Sequence, residues 1–494
     1  MKSSRLALWV LAALLGACAH PVKSPTGAEG LRHAEHRSSA ADFDPCGPEE
    51  QEREMLCGSL RVAEDPDDPN GRTIDLGIVV LPAIGEKTRQ SALFHLDGGP
   101  GLAATQAADF YLTDPVGREF RSGGDVVLVD QRGTGKSNAL HCPATEDNGP
   151  LDEMYPVAEV AACRTELEAQ ADLTKYGTWY AAGDLDRVRR ALGYEQVDFW
   201  ALSYGTQLAQ VYMKRFPERV RTAFLVGTVV LDNRTPLFHA AASQRVLDLV
   251  FFDCHTDASC RRTYPDLRND WKRVLARLED GPVEAQRLNT EIGEKMIVEI
   301  RRGPFGHAFG GLLGTGASQR RVPWLIHRMA EGDFDVFVEA LSFGTSPYAE
   351  GLYLSIACSE ATSRIHSEDV IGATHGTFLG AWRVRQQMQA CSRWPQATLP
   401  REFFEPATAE VAVIVLSGGR DTSSPIGAQR VCEGLPRCRF LTVPHLGHTY
   451  FDAGEWTGGE CPDRIALDLY RKASVEAVDA SCLKTMEPPS FFVD

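Results

Sequence analysis

The feature that most constrains this chain is a short apolar run, Val197–Leu202, that stops at Ser203-Tyr204-Gly205. A helical pattern to Phe216 follows, with Leu208, Val211 and Tyr212 on one face. A strand that turns directly into a helix needs a tight turn. That turn lifts the serine hydroxyl above the sheet edge, over the helix N-terminus, where first-turn N–H groups favour developing negative charge. Further strands are expected at 73–81, 91–96, 125–129 and 222–226. A helix is expected over 182–192, where Leu185, Val188 and Leu192 recur at helical spacing. This alternation predicts the α/β class, a mostly parallel sheet with helices on both faces.

From about Asp232 the pattern changes. Helical segments dominate (243–252, 270–278, 322–329, 336–342 and 381–389) and few strands are evident. Strand patterns return at 411–416 and 439–443, with a helix from Cys461 to about Tyr470. The expected organisation is a core over 42–231, a helical cap over 232–406, and the rest of the core over 407–494.

A serine hydroxyl is a weak nucleophile and needs a base, with a third group to orient that base. Asp421 closes Ser417-Gly418-Gly419-Arg420-Asp421 after one late strand. His448 closes His445-Leu446-Gly447-His448 after the next. Both lie at strand carboxyl ends, where open α/β sheets place ligands. Asp421 also suits a turn ahead of Thr422-Ser423-Ser424-Pro425, and His445 is a rival base. Gly447 favours His448, because it lets the loop backbone approach the serine. The catalytic candidates are therefore Ser203, Asp421 and His448. Gly98-Gly99-Pro100-Gly101 follows an early strand, so N–H groups of Gly98 and Gly99 are expected to hold an oxyanion together with that of Tyr204. Gly133-Thr134-Gly135-Lys136-Ser137 lacks the upstream glycine of a phosphate loop, since position 128 is Leu. Acyl transfer of this kind calls for no metal and no organic cofactor.

A formal charge of −16 with no long basic run excludes nucleic acid as a partner. At the N-terminus, Lys2 and Arg5 precede an apolar run over 6–15, too short to span a bilayer, which reads as a signal peptide over 1–17. Leu15-Gly16-Ala17-Cys18 resembles a bacterial lipobox. The resemblance implies a lipidated Cys18, a flexible tether over 18–41, and an exported lipoprotein held to a membrane by its lipid. Ala19 in place of Asp points to the outer membrane or a periplasm-facing position. An ordinary signal peptide cut near Ala17-Cys18-Ala19 is the alternative. Of 13 cysteines, those other than Cys18 fall into neighbouring pairs, as an oxidising compartment would favour. These are Cys46 with Cys57, Cys142 with Cys163, Cys254 with Cys260, Cys358 with Cys391, Cys432 with Cys438, and Cys461 with Cys482. Connectivity does not follow from sequence, so nearest-neighbour pairing is the simplest expectation.

Taken together, the segments resemble the proline iminopeptidase and tripeptidyl aminopeptidase group of α/β-hydrolases. The resemblance rests on Gly98 to Gly101, DQRGTGKS over 130–137, YGT over 176–178, DLDRVRRALGY over 184–194 and LSYGTQLAQVY over 202–212. It continues in SGGRDTSSP over 417–425, in LGH at 446–448 and in the tail with Cys461 and Cys482. The cap is matched mainly at Cys358-Ser359-Glu360 and at Cys391-Ser392-Arg393-Trp394-Pro395. It implies the α/β-hydrolase fold with a helical cap, and a serine exopeptidase acting on peptide substrates with free N-termini. It also implies a cap carboxylate for the substrate ammonium, for which Glu360 is the candidate; a cap salt bridge or a solvated face would equally place a glutamate there. Ala201 stands where the elbow motif usually has Gly. Asp97 replaces the His common before the glycine turn, and Val226 replaces the Asp of a Leu-Asp-Gly segment. An esterase or an amide or lactone hydrolase with the same triad, or a non-catalytic surface lipoprotein, are the rival readings.

Overall fold

The computed structural model describes residues 43–49, 54–146, 148–289, 293–341, 348–424, 427–450 and 456–493. The expected signal segment, Cys18 and the whole tether lie outside them. The described strands are β1 (Asp44–Pro45), β2 (Leu56–Ala63), β3 (Thr73–Leu81), β4 (Ala92–Leu96), β5 (Val126–Val129), β6 (Val197–Leu202), β7 (Val220–Val226), β8 (Val283–Asn289), β9 (Glu294–Ile300), β10 (Ala412–Gly418) and β11 (Cys438–Val443). Nine of them form one sheet in the order β1-β2-β3-β5-β4-β6-β7-β10-β11. The β1–β2, β2–β3 and β3–β5 pairs are antiparallel, and every pair from β5 to β11 is parallel.

Period-2 alternation explains the two cores. On β6, Val197, Phe199 and Ala201 enter one apolar cluster while Trp200 and Leu202 enter the other. Val413 and Val415 on β10 join the first cluster; Ala412, Ile414 and Leu416 join the second. Helices α1 (Thr178–Ala191) and α2 (Tyr204–Arg215) close the first face, through Leu185, Val188, Leu208 and Val211. The second face is covered by Tyr111, Phe120 and the last long helix, which contributes Ile465, Ala466 and Leu469. Strands buried on both sides read as continuous apolar runs, so they were legible in the sequence.

Between β7 and β10 the chain builds the cap, which packs around further apolar clusters. Its main helices are α3 (His239–Thr256), α4 (Leu267–Asp280), α5 (Arg302–Gly311), α6 (Gly316–Glu331), α7 (Glu350–Glu360) and α8 (Trp382–Cys391). The sequence shows few strands here, yet β8 and β9 pair as an antiparallel hairpin. Leu288, Met296 and Ile297 on it are exposed while Ala285 and Ile300 are buried, so its apolar residues do not keep to one face and the alternation is weak. The last long helix, α9, is Cys461–Lys472. Six disulfides join Cys46–Cys57, Cys142–Cys163, Cys254–Cys260, Cys358–Cys391, Cys432–Cys438 and Cys461–Cys482, the same nearest-neighbour pairs. Cys358–Cys391 ties α7 to α8. Among the described residues no helix is long and apolar enough to cross a membrane.

Candidate active site

Ser203 sits between β6 and α2 at φ 52° and ψ −122°, a conformation that L residues rarely adopt. Holding it there costs about 1–3 kcal/mol, which the surrounding packing must offset. Two neighbours show how tight the turn is. A Cβ on Gly205 would stand 2.2 Å from the Leu96 carbonyl oxygen, so that position accepts only glycine. Ala201 is fully buried between Leu96 of β4 and Leu225 of β7, where a small side chain fits.

The other two candidates reach the serine from later strands. His448 Nε2 lies 2.8 Å from Ser203 Oγ, and His448 Nδ1 lies 3.0 Å from both Asp421 oxygens. Asp421 also accepts from the Ser423 N–H (2.7 Å), the Ser424 N–H (2.8 Å) and the Ser424 hydroxyl (2.7 Å). Asp421 is therefore both a turn residue and the orienter of the histidine. The cap helps to hold this end of the site. Arg245 of α3 donates to the Gly419 carbonyl, and the His448 N–H donates to the Gly314 carbonyl (2.8 Å). His445 is 3.8 Å from Asp253 instead, which removes it as the base.

Burial opposes charge on both partners, but their mutual attraction prevails. Burial raises the Asp421 carboxyl, while His448 and the Ser424 hydrogen bonds more than reverse this and hold it well below the usual carboxylate range. Burial lowers the His448 imidazole, and Asp421 outweighs it, so its pKa stands above the ordinary histidine value. The acid stays ionised to fix the tautomer, and the imidazole accepts a proton readily.

The glycine turn divides its two expected donors. The Gly98 N–H is engaged by Asp97 Oδ1 at 2.7 Å, and a Cβ on Gly98 would stand 3.1 Å from Ser203 Cβ. Gly98 thus permits close packing on the serine, a correction to its role as donor. Gly99 lines the cavity beside Ser203 and Tyr204, so the N–H groups of Gly99 and Tyr204 remain the candidates for oxyanion donors. Asp97 holds this turn from behind, with Oδ2 3.9 Å from His95 Nε2. Val226 is buried in the core and brings no carboxylate to the site. Gly227 beside it gives His448 room, since a Cβ there would come 2.6 Å from the His448 carbonyl oxygen.

A cavity of about 490 Å³ between core and cap is lined by Ser203 and His448. One stripe of α7 lines it: Glu350, Tyr353, Ile356, Ala357 and Glu360, at the i, i+3, i+4, i+7 spacing of one helix face. Glu360 is 1% exposed and, among the described residues, has no ion-pair partner, so neither a solvated face nor a salt bridge accounts for it. It accepts from the Thr178 N–H (2.7 Å), the Thr178 hydroxyl (2.6 Å) and Gln207 Nε2 (2.5 Å). Burial pushes its carboxyl up to about 7, against those three donors. Glu350 is likewise pushed up to about 7 by burial, with Arg383 opposing. Sequence reasoning missed Glu350, Gln207 and Arg383. Gln207 was findable, four residues after Ser203 on the same helix face. The α7 stripe carried a periodic signal too, but nothing in the sequence said what it faces.

The elbow, the strand order and the three aligned side chains decide the architecture. The chain has the α/β-hydrolase fold. The family described as alpha/beta hydrolase fold matches residues 95–276 of this chain. The tripeptidyl aminopeptidase of Streptomyces coelicolor is 27% identical over 472 residues, which span 85% of this chain and 82% of that protein. Serine protease Hip1 of Mycobacterium tuberculosis is 32% identical over 225 residues, 42% of each chain. Escherichia coli YuaR is 28% identical over 272 residues, 51% of this chain and 53% of that one. For these last two, the match spans about half of the relative or less.

Proposed function

We propose that this α/β-hydrolase is a serine exopeptidase that cleaves peptides bearing a free N-terminus. The observation that carries the reading is the buried Glu360 carboxylate in the same cavity as the Ser203–His448 pair. A desolvated ammonium needs a paired charge, and Glu360 retains acceptor capacity beyond its three donors. Similarity to a tripeptidyl aminopeptidase over most of both chains supports it.

In this mechanism neutral His448 takes the Ser203 proton as Oγ attacks the scissile carbonyl. The N–H groups of Gly99 and Tyr204 receive the oxyanion, and Asp421 steadies the imidazolium. Protonated His448 gives its proton to the leaving amine. Water, deprotonated by His448, then releases the acyl group and regenerates Ser203. The test is a peptide panel with free and N-acetylated termini, read by mass spectrometry beside short acyl esters. Cleavage of free peptides alone supports the reading. Equal cleavage of blocked peptides, or turnover of esters only, overturns it.

We also propose export with a lipid on Cys18. The six disulfides support an oxidising compartment. Loss of membrane association in Cys18→Ser supports the anchor; unchanged association refutes it.

A further inference from the structure

Arg383 of α8 lines the same cavity as Ser203 and His448 and is 6% exposed. Its guanidinium donates only to neutral groups: Nη1 to Gln387 Oε1 at 2.9 Å and Nη2 to the Tyr353 hydroxyl at 2.7 Å. The Tyr353 hydroxyl in turn donates to the same Gln387 oxygen (3.1 Å), so a small polar frame fixes the fork. The Tyr155 ring lies 5.9 Å from its centre. Among the described residues no carboxylate stands within ion-pairing distance of Arg383.

Glu350 offsets the charge only from a distance, without a direct ion pair. Glu350 lines the cavity too, but its carboxylate takes the Tyr155 hydroxyl at 3.4 Å rather than the guanidinium. His239 and His307, also in the lining, are kept neutral by burial and by Arg383 itself, with pKa values pushed down to about 4 and about 3. A permanently charged guanidinium taken out of water is costly unless a carboxylate meets it, and its planar fork suits bidentate capture of one. The cavity therefore presents a cation-seeking wall at Glu360 and an anion-seeking wall at Arg383.

We propose that Arg383 recognises a carboxylate on the substrate, supplied by an acidic side chain or by the free C-terminus of a short peptide. This rests on the exopeptidase reading and narrows it to peptides that carry both an N-terminal ammonium and a carboxylate. Arg383 acts in selectivity and takes no part in bond cleavage.

The experiment compares three matched peptides with the same free N-terminus. One has a Glu side chain and an amidated C-terminus, one has Gln there and an amidated C-terminus, and one has Gln and a free C-terminus. The wild type is expected to favour a carboxylate-bearing peptide over the Gln amide by about tenfold to a hundredfold in kcat/KM, the range of a charged hydrogen bond. Preference for the Glu amide identifies the side chain as the source; preference for the free acid identifies the C-terminus. In Arg383→Met that ratio falls toward one, and Arg383→Lys restores part of it. No preference in the wild type overturns the proposal without any variant, and so does a ratio retained in folded Arg383→Met. If the wild type cleaves no peptide but hydrolyses p-nitrophenyl acetate, the exopeptidase reading fails separately. Inhibition of that ester turnover by the three peptides then decides the role of Arg383: stronger inhibition by a carboxylate-bearing peptide supports it, and equal inhibition refutes it.

Discussion

Replacing Asp421 by Asn tests the hydrogen-bond logic of the site at a single atom. In the structure Asp421 Oδ1 receives the N–H groups of Ser423 and Ser424, and an amide oxygen at that position keeps both. The new NH2 then occupies the Oδ2 position, where it faces the Ser424 hydroxyl and His448 Nδ1. Oδ1, equally near Nδ1 at 3.0 Å, is already taken up by two N–H groups, so the new donor makes Nδ1 the acceptor and moves the imidazole proton to Nε2. His448 then points a proton at Ser203 Oγ across 2.8 Å and cannot act as base. The expected loss in kcat is about 10⁴-fold, the size associated with a wrong tautomer in such triads. That corresponds to about 5.4 kcal/mol of transition-state stabilisation. The assay is steady-state release from an aminoacyl or tripeptidyl p-nitroanilide, with circular dichroism to show that the variant is folded. A folded Asp421→Asn enzyme that lost less than about tenfold, against the ~10⁴-fold expected, would refute the tautomer argument.

Three further predictions follow from the same geometry. Because Asp421 raises the His448 pKa and the base must be neutral, the acid limb of kcat/KM lies above the usual histidine value of about 6.5. A pH–rate profile with its midpoint below that value contradicts the pairing. Glu360→Gln removes the charge proposed to meet the substrate ammonium and should lower kcat/KM for free peptides about tenfold to a hundredfold, mainly through KM. Equal losses on blocked substrates or esters would instead mark Glu360 as part of the scaffold. Gly205→Ala drives a Cβ to 2.2 Å from the backbone oxygen of Leu96, which cannot swing aside. The cost is about 3 kcal/mol, the upper end of over-packing, and an unchanged denaturation midpoint would show that the turn has slack.

What could be read from the sequence is what short segments encode. β6, the turn at Ser203 and α2 are contiguous, so one stretch of chain carries strand, nucleophile and helix. Asp421 and His448 each follow an apolar strand closely enough to be placed at its carboxyl end. The fold class rests on doubly buried strands such as Ala412–Gly418, whose apolar runs need no partner to be recognised. β2 escaped notice because only Leu60 and Val62 of it are buried, and the β8–β9 hairpin because Leu288, Met296 and Ile297 face water while Ala285 and Ile300 are buried. The division of labour between Gly98 and Gly99 depends on where one Asp97 oxygen falls, a matter of distance rather than residue type. Glu350, Glu360 and Arg383 meet only when α7 and α8 pack over the serine. No local motif announces a juxtaposition between segments so far from the elbow.

The proposed mechanism depends first on Ser203 being the activated nucleophile. Its most direct test is reaction of the intact protein with a fluorophosphonate probe, with the adduct located by tandem mass spectrometry. The geometry predicts one adduct, on Ser203, formed quickly in the wild type and slowly in a folded His448→Ala variant. Absence of labelling in the folded wild type, or an adduct on another residue with Ser203 unmodified, would contradict it.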